Sequence, residues 1–548
     1  MLRITEIKLP VENAQSLSHE SDTIKSALLK KLQIAEADFV DFSIFKRGVD
    51  ARKSHNILYV YSLDVEVTNE AKLLAKFSRD PHLKLAPDTS YKFVTTNNNT
   101  KKPRPIVVGF GPAGIFAALI LAQSGFKPIV LERGKAVRER TKDTWDFWRK
   151  SKLNPESNVQ FGEGGAGTFS DGKLYSQIKD PKHYGRKVIQ EFVKAGAPPE
   201  IMYVSHPHIG TFRLVGMVEE MRKNIIALGG EIRFQTKVED IEISVNSEGH
   251  NEVQAVVLAN GERIATNHLI LAVGHSARDT FEMIHRKNIY VEAKPFSIGF
   301  RIEHPQSLID KARYGNSYSE DILSKLGSAE YKLVHHASNG RSVYSFCMCP
   351  GGTVVASASE EGCIVTNGMS QYSRNERNAN AGIVVGITPE VDFPGDALAG
   401  MKLQRELEAK AYALGGNNYE APGQLIGDFL NNVASTQFGE VQPSYTPSVH
   451  LTNLETALPK FAITAIREAI PEFAKQIKGY DLADGILTGV ETRTSSPIRI
   501  KRDDETLQSI NTKGLYPCGE GAGYAGGILS AGVDGIKVAE AVALSLCA

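Results

Sequence analysis

Residues 106–134 read IVVGFGPAGIFAALILAQSGFKPIVLERG. The apolar triplet Ile106-Val107-Val108 suits a short strand buried on both faces. Gly109-Phe110-Gly111-Pro112-Ala113-Gly114 is a G-x-G-x-x-G turn, and the spacing after it is helical through Leu121, with Gly125 as a stop. A second strand, Pro128 to Leu131, ends at Glu132. This is a βαβ unit with an acid at its second strand tip, the pattern of a dinucleotide site. Gly109 permits the tight turn, Gly111 leaves room for a pyrophosphate against the backbone, and Gly114 lets helix and strand approach. Free N–H groups at the helix start, with the helix dipole, hold phosphate charge, at roughly 0.3–1 kcal/mol for the dipole. Glu132 is placed to accept from ribose hydroxyls and would repel a 2′-phosphate. A membrane span is excluded because three turn glycines and Pro112 interrupt the uncharged run.

The chain has 548 residues, so two or three domains are expected. Lys+Arg and Asp+Glu are both 63, which argues against a polyanion or an anionic membrane as partner. Five cysteines are no disulfide framework, and the first residues carry no signal pattern, so a cytoplasmic protein is expected.

Residues 1–96 read as a separate module. Strands are expected at Leu2 to Leu9, Phe39 to Phe45, Asn56 to Val67 and near Tyr91 to Val94, with helices at Glu20 to Leu32 and Asn69 to Phe77. That βαββαβ order predicts a ferredoxin-like plait. Residues 97–103 read as a linker. Residues 1–98 carry 14 Lys and Arg against 13 Asp and Glu, with one basic cluster at Lys46, Arg47, Arg52 and Lys53. That balance makes nucleic acid an unlikely partner, and the expected role is a solvated edge or a docking surface on the dinucleotide-binding domain.

Arg133 and Arg140 follow the second strand, where an arginine reaches a pyrophosphate or covers a helix face. Residues 162–172 hold five glycines in eleven positions. Such a stretch resists regular structure at roughly 0.5–1 kcal/mol per glycine. Gly164, Gly165, Gly167 and Thr168 therefore leave a bare surface for a flat ring or a phosphate arm. His206 and His208 lack a third ligand, so no metal is expected. Strands are expected at Ile232 to Phe234, Lys237 to Ile243, Val253 to Leu258 and Ile264 to Ala265, and another from His268 to Val273 ends in Gly274. Residues 276–512 read as an insertion with strands near Ser297 to Glu303, Ser342 to Cys347, Thr353 to Ala358 and Gly382 to Val385. Cys347 and Cys349 fit buried structural thiols better than a redox pair. Near the end, Leu515-Tyr516-Pro517-Cys518-Gly519-Glu520 and a glycine-rich turn precede a helix starting at Gly527-Ile528.

In that order, these features resemble the two-dinucleotide-fold FAD proteins that include glutathione reductase, aromatic hydroxylases and geranylgeranyl reductases. The closer resemblance is to bacterial proteins described as uncharacterized FAD-dependent dehydrogenases, which share the plait, G-E-G-G-A-G-T-F-S-D-G-K-L and E-T-R-T-S-S-P. It implies an α/β and α+β chain: a Rossmann-type three-layer FAD domain at 103–275, closed by 513–548, with a mixed substrate domain at 276–512 and the plait at 1–96. It also implies FAD as cofactor, a backbone contact from Val238 to adenine, and a strand end at Ala272 and Gly274 returning to the nucleotide. Gly519 and an acid would hold the ribityl chain. The family's acid is usually Asp, and here it is Glu520. The N–H groups of Gly527 and Ile528 would face the pyrimidine edge.

The expected activity is FAD-dependent oxidoreduction of an unidentified small molecule through flavin N5. A nicotinamide donor would dock transiently, since no second G-x-G-x-x-G appears. A flavin-dependent RNA modifier and a non-enzymatic flavin sensor or assembly factor are the alternatives. No catalytic acid or base is nominated; Lys173, His208, Arg301, Arg493 and Tyr524 are the candidate wall residues.

Overall fold

The computed structural model describes residues 1–13, 17–96 and 102–548. Most of the expected linker, 97–101, lies outside the described residues. A five-stranded parallel sheet carries the site. Its order is Leu515–Pro517, Leu269–Leu271, Ile106–Val108, Ile129–Leu131, Glu231–Arg233. Ile106 is in register with Leu269, and Leu269 with Leu515, so the end of the chain lies beside its first dinucleotide strand. All nine residues of these three strands are buried, which is why they read as apolar runs without alternation.

Helix Pro112–Gln123 is buried from Ala113 to Ala122 on every side. It has no polar stripe because it is sandwiched between this sheet and the terminal helix Ile528–Cys547. Gly535 sets the approach of the two helices, and Gly519 that of the turn before the terminal helix. A Cβ on Gly535 would sit 2.3 Å from the Ala113 carbonyl, and one on Gly519 would sit 2.6 Å from the Ala113 Cβ. The other face of the sheet carries an antiparallel meander, Val238–Val245, Asn251–Leu258 and Arg263–Ala265, which Thr512–Lys513 extends. The expected strand at Ile232 to Phe234 belongs to the parallel sheet and not to the meander. Its partner is Ile129–Leu131.

The N-terminal sheet runs Phe39–Asp50, Leu58–Val67, Leu2–Pro10, Leu83–Leu85, all antiparallel. Its last strand is at 83–85, not at Tyr91 to Val94. Tyr91 instead packs on Tyr184 and donates to Glu540, so tertiary aromatic packing overrode its β-propensity. The edge strand Phe39–Asp50 docks on the body of the protein. Arg47 N–H donates to the Tyr203 carbonyl and Ser205 N–H returns a bond to Arg47.

The insertion is built on a seven-stranded sheet whose centre is Asn378–Ile387, Phe296–Pro305 and Ile486–Glu491. Helix Lys460–Ala474 packs its buried stripe, Ile463, Ile466, Ile470 and Phe473, into the same core. No helix among the described residues is long and apolar enough to cross a membrane.

Candidate functional site

The three glycine-rich segments converge. Gly164 N–H donates to the Phe110 carbonyl at 2.8 Å. A Cβ on Gly165 would lie 2.9 Å from the Gly111 Cα, and one on Gly167 would lie 2.9 Å from Ile528 Cγ1. The loop at 162–167 thus lies between the first turn and the start of the terminal helix. Gly109 (φ +98°) and Gly114 serve packing, since added Cβ atoms would meet the Ala272 and Gly109 carbonyls at 2.5 and 2.0 Å.

A cavity of about 1640 Å³ opens over this junction. Gly109, Gly111, Pro112 and Ala113 line it from the first turn, and Gly165 and Gly167 from the loop. Glu132, Arg133 and Val238 flank one side; Ala272 and Gly274 form a strand end, and Glu520, Gly527 and Ile528 close the wall. Neither helix start, at Gly111 nor at Gly527, has a side-chain cap. Both therefore present free N–H groups and positive dipole ends on the wall of one cavity, the arrangement an anionic or electron-rich ligand requires. A Cβ on Gly274, Gly526 or Gly527 would meet no atom within 4 Å, so the bare backbone faces open space. These residues fit a flavin dinucleotide.

Glu132 is more committed than the sequence suggests. Its carboxylate accepts from the N–H groups of Phe110 (2.8 Å), Gly134 (2.8 Å) and Gly162 (3.0 Å). Of its roughly four lone-pair sites one is left, so it cannot accept from two ribose hydroxyls at once without releasing a backbone partner. It ties the turn to the loop.

Several expected wall residues stand behind the wall. Arg140 is fully buried and donates to the carbonyls of Asn158, Val159, Gly162 and Glu163. It supports the glycine loop from below and reaches no pyrophosphate position. Arg133 borders the cavity, but its guanidinium is held by Glu156 and Asp279 over the Phe161 ring. Gly114, Gly164, Thr168 and Gly519 are also absent from the cavity lining. Gly164 is bare because Thr168 Oγ1 occupies the place of its Cβ. Arg301 is spent on Glu491, at 2.8 and 3.0 Å, and Tyr524 lies under Arg502, so neither is a wall residue. Lys173, His208 and Arg493 do line the cavity.

The stretch Glu491 to Pro497 braces the insertion against the sheet. Glu408, fully buried, accepts from Arg493, Arg278 and Thr492. Burial opposes its charge, yet Arg278 and Arg493 hold its carboxyl down to about 2. Glu520, by contrast, has only Lys294 to oppose its burial, and its carboxyl is pushed up to about 7. His275, 3.9 Å from Glu520, is forced down to about 3 by burial and by Arg493 and Arg278. At neutral pH the pair is therefore a neutral imidazole beside a titrating carboxyl.

Cys347 corrects another expectation. It is not buried structure but a cavity-wall thiol, at φ +40° in a bulged strand. The surrounding protein pushes it up to about 12, so it is no thiolate nucleophile at neutral pH. Cys349 behind it is buried.

Sequence reasoning missed the far end of the cavity. Lys46, Arg47 and Val49 of the N-terminal sheet, and Arg52 just after it, form part of its wall. Their charge cluster was visible in the sequence as a solvated edge or docking surface; that it also lines this cavity was not.

Residues 295–494 match the family model described as FAD-dependent protein, C-terminal domain-like, and residues 1–66 match a domain family of unknown function. A Clostridium beijerinckii protein described as uncharacterized is 48% identical over 541 residues, 98% of each chain. Among solved structures, CtdE in complex with FAD is 11% identical over 82% of this chain and 86% of its own, with a TM-score of 0.31. Glycine oxidase from Bacillus cereus is 12% identical over 81% and 97%, also at 0.31. The chain belongs to one family with the clostridial protein, and it is a FAD-dependent protein.

Proposed function

We propose that the protein is a FAD-dependent oxidoreductase of the two-dinucleotide-fold type, acting on a small molecule held between the glycine junction and the inserted domain. The observation that carries this reading is the pair of uncapped helix starts on one cavity wall, with bare glycine backbone between them. The N–H groups following Gly111 would hold the pyrophosphate, Glu132 and Val238 would flank the adenosine, and Glu520 would meet the ribityl chain. Bound FAD supplies hydride or single-electron transfer at its ring.

The chain's own residues do the rest. The helix start at Gly527 and Ile528 favours negative charge on a ligand edge placed against it. The Glu408 network with Arg278 and Arg493 holds the insertion at a fixed distance from the strand end at Gly274. Glu520, whose carboxyl burial raises into the neutral range, can hold or release one proton at the cavity wall, with His275 neutral beside it. Ligand pockets are typically about 300–1,000 Å³, and this cavity, at about 1640 Å³, leaves room for a second molecule beside the cofactor.

Purified protein should carry about one FAD per chain and show flavin absorbance. Anaerobic mixing with NADH or NADPH should bleach it if a nicotinamide is the donor. Colourless protein that takes up no FAD would sink the reading. Flavin that no donor reduces would favour a sensor over an enzyme.

A further inference from the structure

The cavity has two unlike ends. The far end is walled by residues 46–52 at the end of the N-terminal edge strand, by the segment after the glycine loop, and by the inserted domain around Arg313 and Lys332. Its charges are not balanced. The acids that line it, Asp171 and Glu330, both bond Arg374, Asp171 with two nitrogens and Glu330 with a third, and the one negative charge that Arg374 leaves over acts on Lys173; the surplus lies in the exposed cations. Arg47 and Arg52 are matched from outside the cavity by Glu20 and Asp50.

Lys46, Arg313 and Lys332 are exposed at this end, and among the described residues no hydrogen bond or ion pair engages their side chains. Deeper in, Lys173 directs its ammonium to the Met348 carbonyl, a neutral acceptor, and two of its three N–H donors remain available. Beside these cations the wall is aromatic, with Tyr314, Tyr344 and Phe346. Three cations around an opening and one at its depth focus the potential for an incoming anion.

We propose that this far arm is the substrate subsite and that it takes a small organic anion, a carboxylate or phosphate ester. Lys46, Arg313 and Lys332 steer it, and Lys173 holds its charged head. Lys173 follows the glycine loop directly, so a head bound there lies between the far arm and the glycine junction. The N-terminal module is then part of the substrate site and not an appendage. This inference rests on the flavoenzyme reading, because it takes the glycine junction to be filled by FAD.

The test uses the full-length, FAD-loaded protein titrated with benzoate, phenyl phosphate and the neutral benzamide, followed by flavin absorbance and by calorimetry. One or both anions should bind about tenfold or more tightly than benzamide, as expected for a charge-assisted hydrogen bond. Their affinity should fall with added salt. The carboxylate and phosphate arms identify the head group. Lys173→Met should erase the preference with FAD content unchanged, and Lys173→Arg should restore part of it. Arg313→Gln with Lys332→Gln, both exposed, should weaken the anions severalfold even if the Lys173 variants fold poorly.

Equal binding of benzamide and both anions, or no binding of any probe, would overturn the proposal. So would tRNA binding at physiological salt that outcompetes both anions, since the basic opening would then serve nucleic acid. Loss of FAD from the parent protein is a separate failure, read before any titration, and calorimetry would still report on the anion site.

Discussion

The two ends of the cavity are made of different material. The glycine end is backbone: turn, loop and helix start, brought together at places where a Cβ would collide or intrude. The far end is side chain: lysines and arginines from the N-terminal module, the segment after the loop and the inserted domain. A backbone site needs particular residues at particular spacings, because only glycine tolerates the approach. A side-chain site can be assembled from any surface that reaches it. The glycine end should therefore be intolerant of change, and the far end tolerant in folding but sensitive in binding.

The harshest trial of that contrast is Gly111→Val. The valine Cβ would lie 3.6 Å from the Gly165 Cα, and its methyl groups would enter the space between turn and loop. FAD content should fall to background, while circular dichroism and the N-terminal module stay native. Full occupancy would refute the placement of the turn against the cofactor.

Glu132→Ala comes next. It strips three buried N–H groups of their acceptor, at about 1–3 kcal/mol for each one left unsatisfied. The chain should lose about 3 kcal/mol or more of stability in denaturant titration, even without cofactor. A loss confined to FAD affinity would mean that Glu132 serves only the ribose.

Glu520 should show its raised carboxyl as a pH slope in the apoprotein. With a folded value of about 7 against an ordinary 4.5, the folded chain keeps a proton that the unfolded chain has lost. This contribution is present below about pH 4.5 and is lost as pH rises to about 7. It amounts to ~2 kcal/mol, given partial solvent screening. Denaturation midpoints across this window should lose the slope in Glu520→Gln, and an unchanged slope would assign it to another group.

Smallest of all is the effect on folding of Arg313→Gln with Lys332→Gln. Stability should stay within about 0.5 kcal/mol of the parent, as for surface positions without partners. A larger loss would show that the far end, too, is structural.

The same contrast explains what could be read in advance. Ile106 to Glu132, the loop at 162–172 and the return at Gly519-Glu520 were legible because glycine spacing and strand length are local constraints. Arg140 was not placed, because a helix arginine looks the same whether it faces a phosphate or four carbonyls. Tyr91 was misread as strand because an aromatic run with β-propensity also suits a ring wedged against Tyr184. Cys347 was misread because a bulge, not the alternation of the strand, decides which way it faces.

By itself, the sequence determined the βαβ unit and the need for bare backbone at three places, since those demands act over a few neighbouring residues. Only the tertiary structure decided that Gly165 rests on Gly111, that Glu132 is consumed by three N–H groups, and that Lys46 of the first module shares a cavity with Lys332 of the insertion. Those contacts join residues distant in the chain, and packing, not local propensity, sets which of them meet.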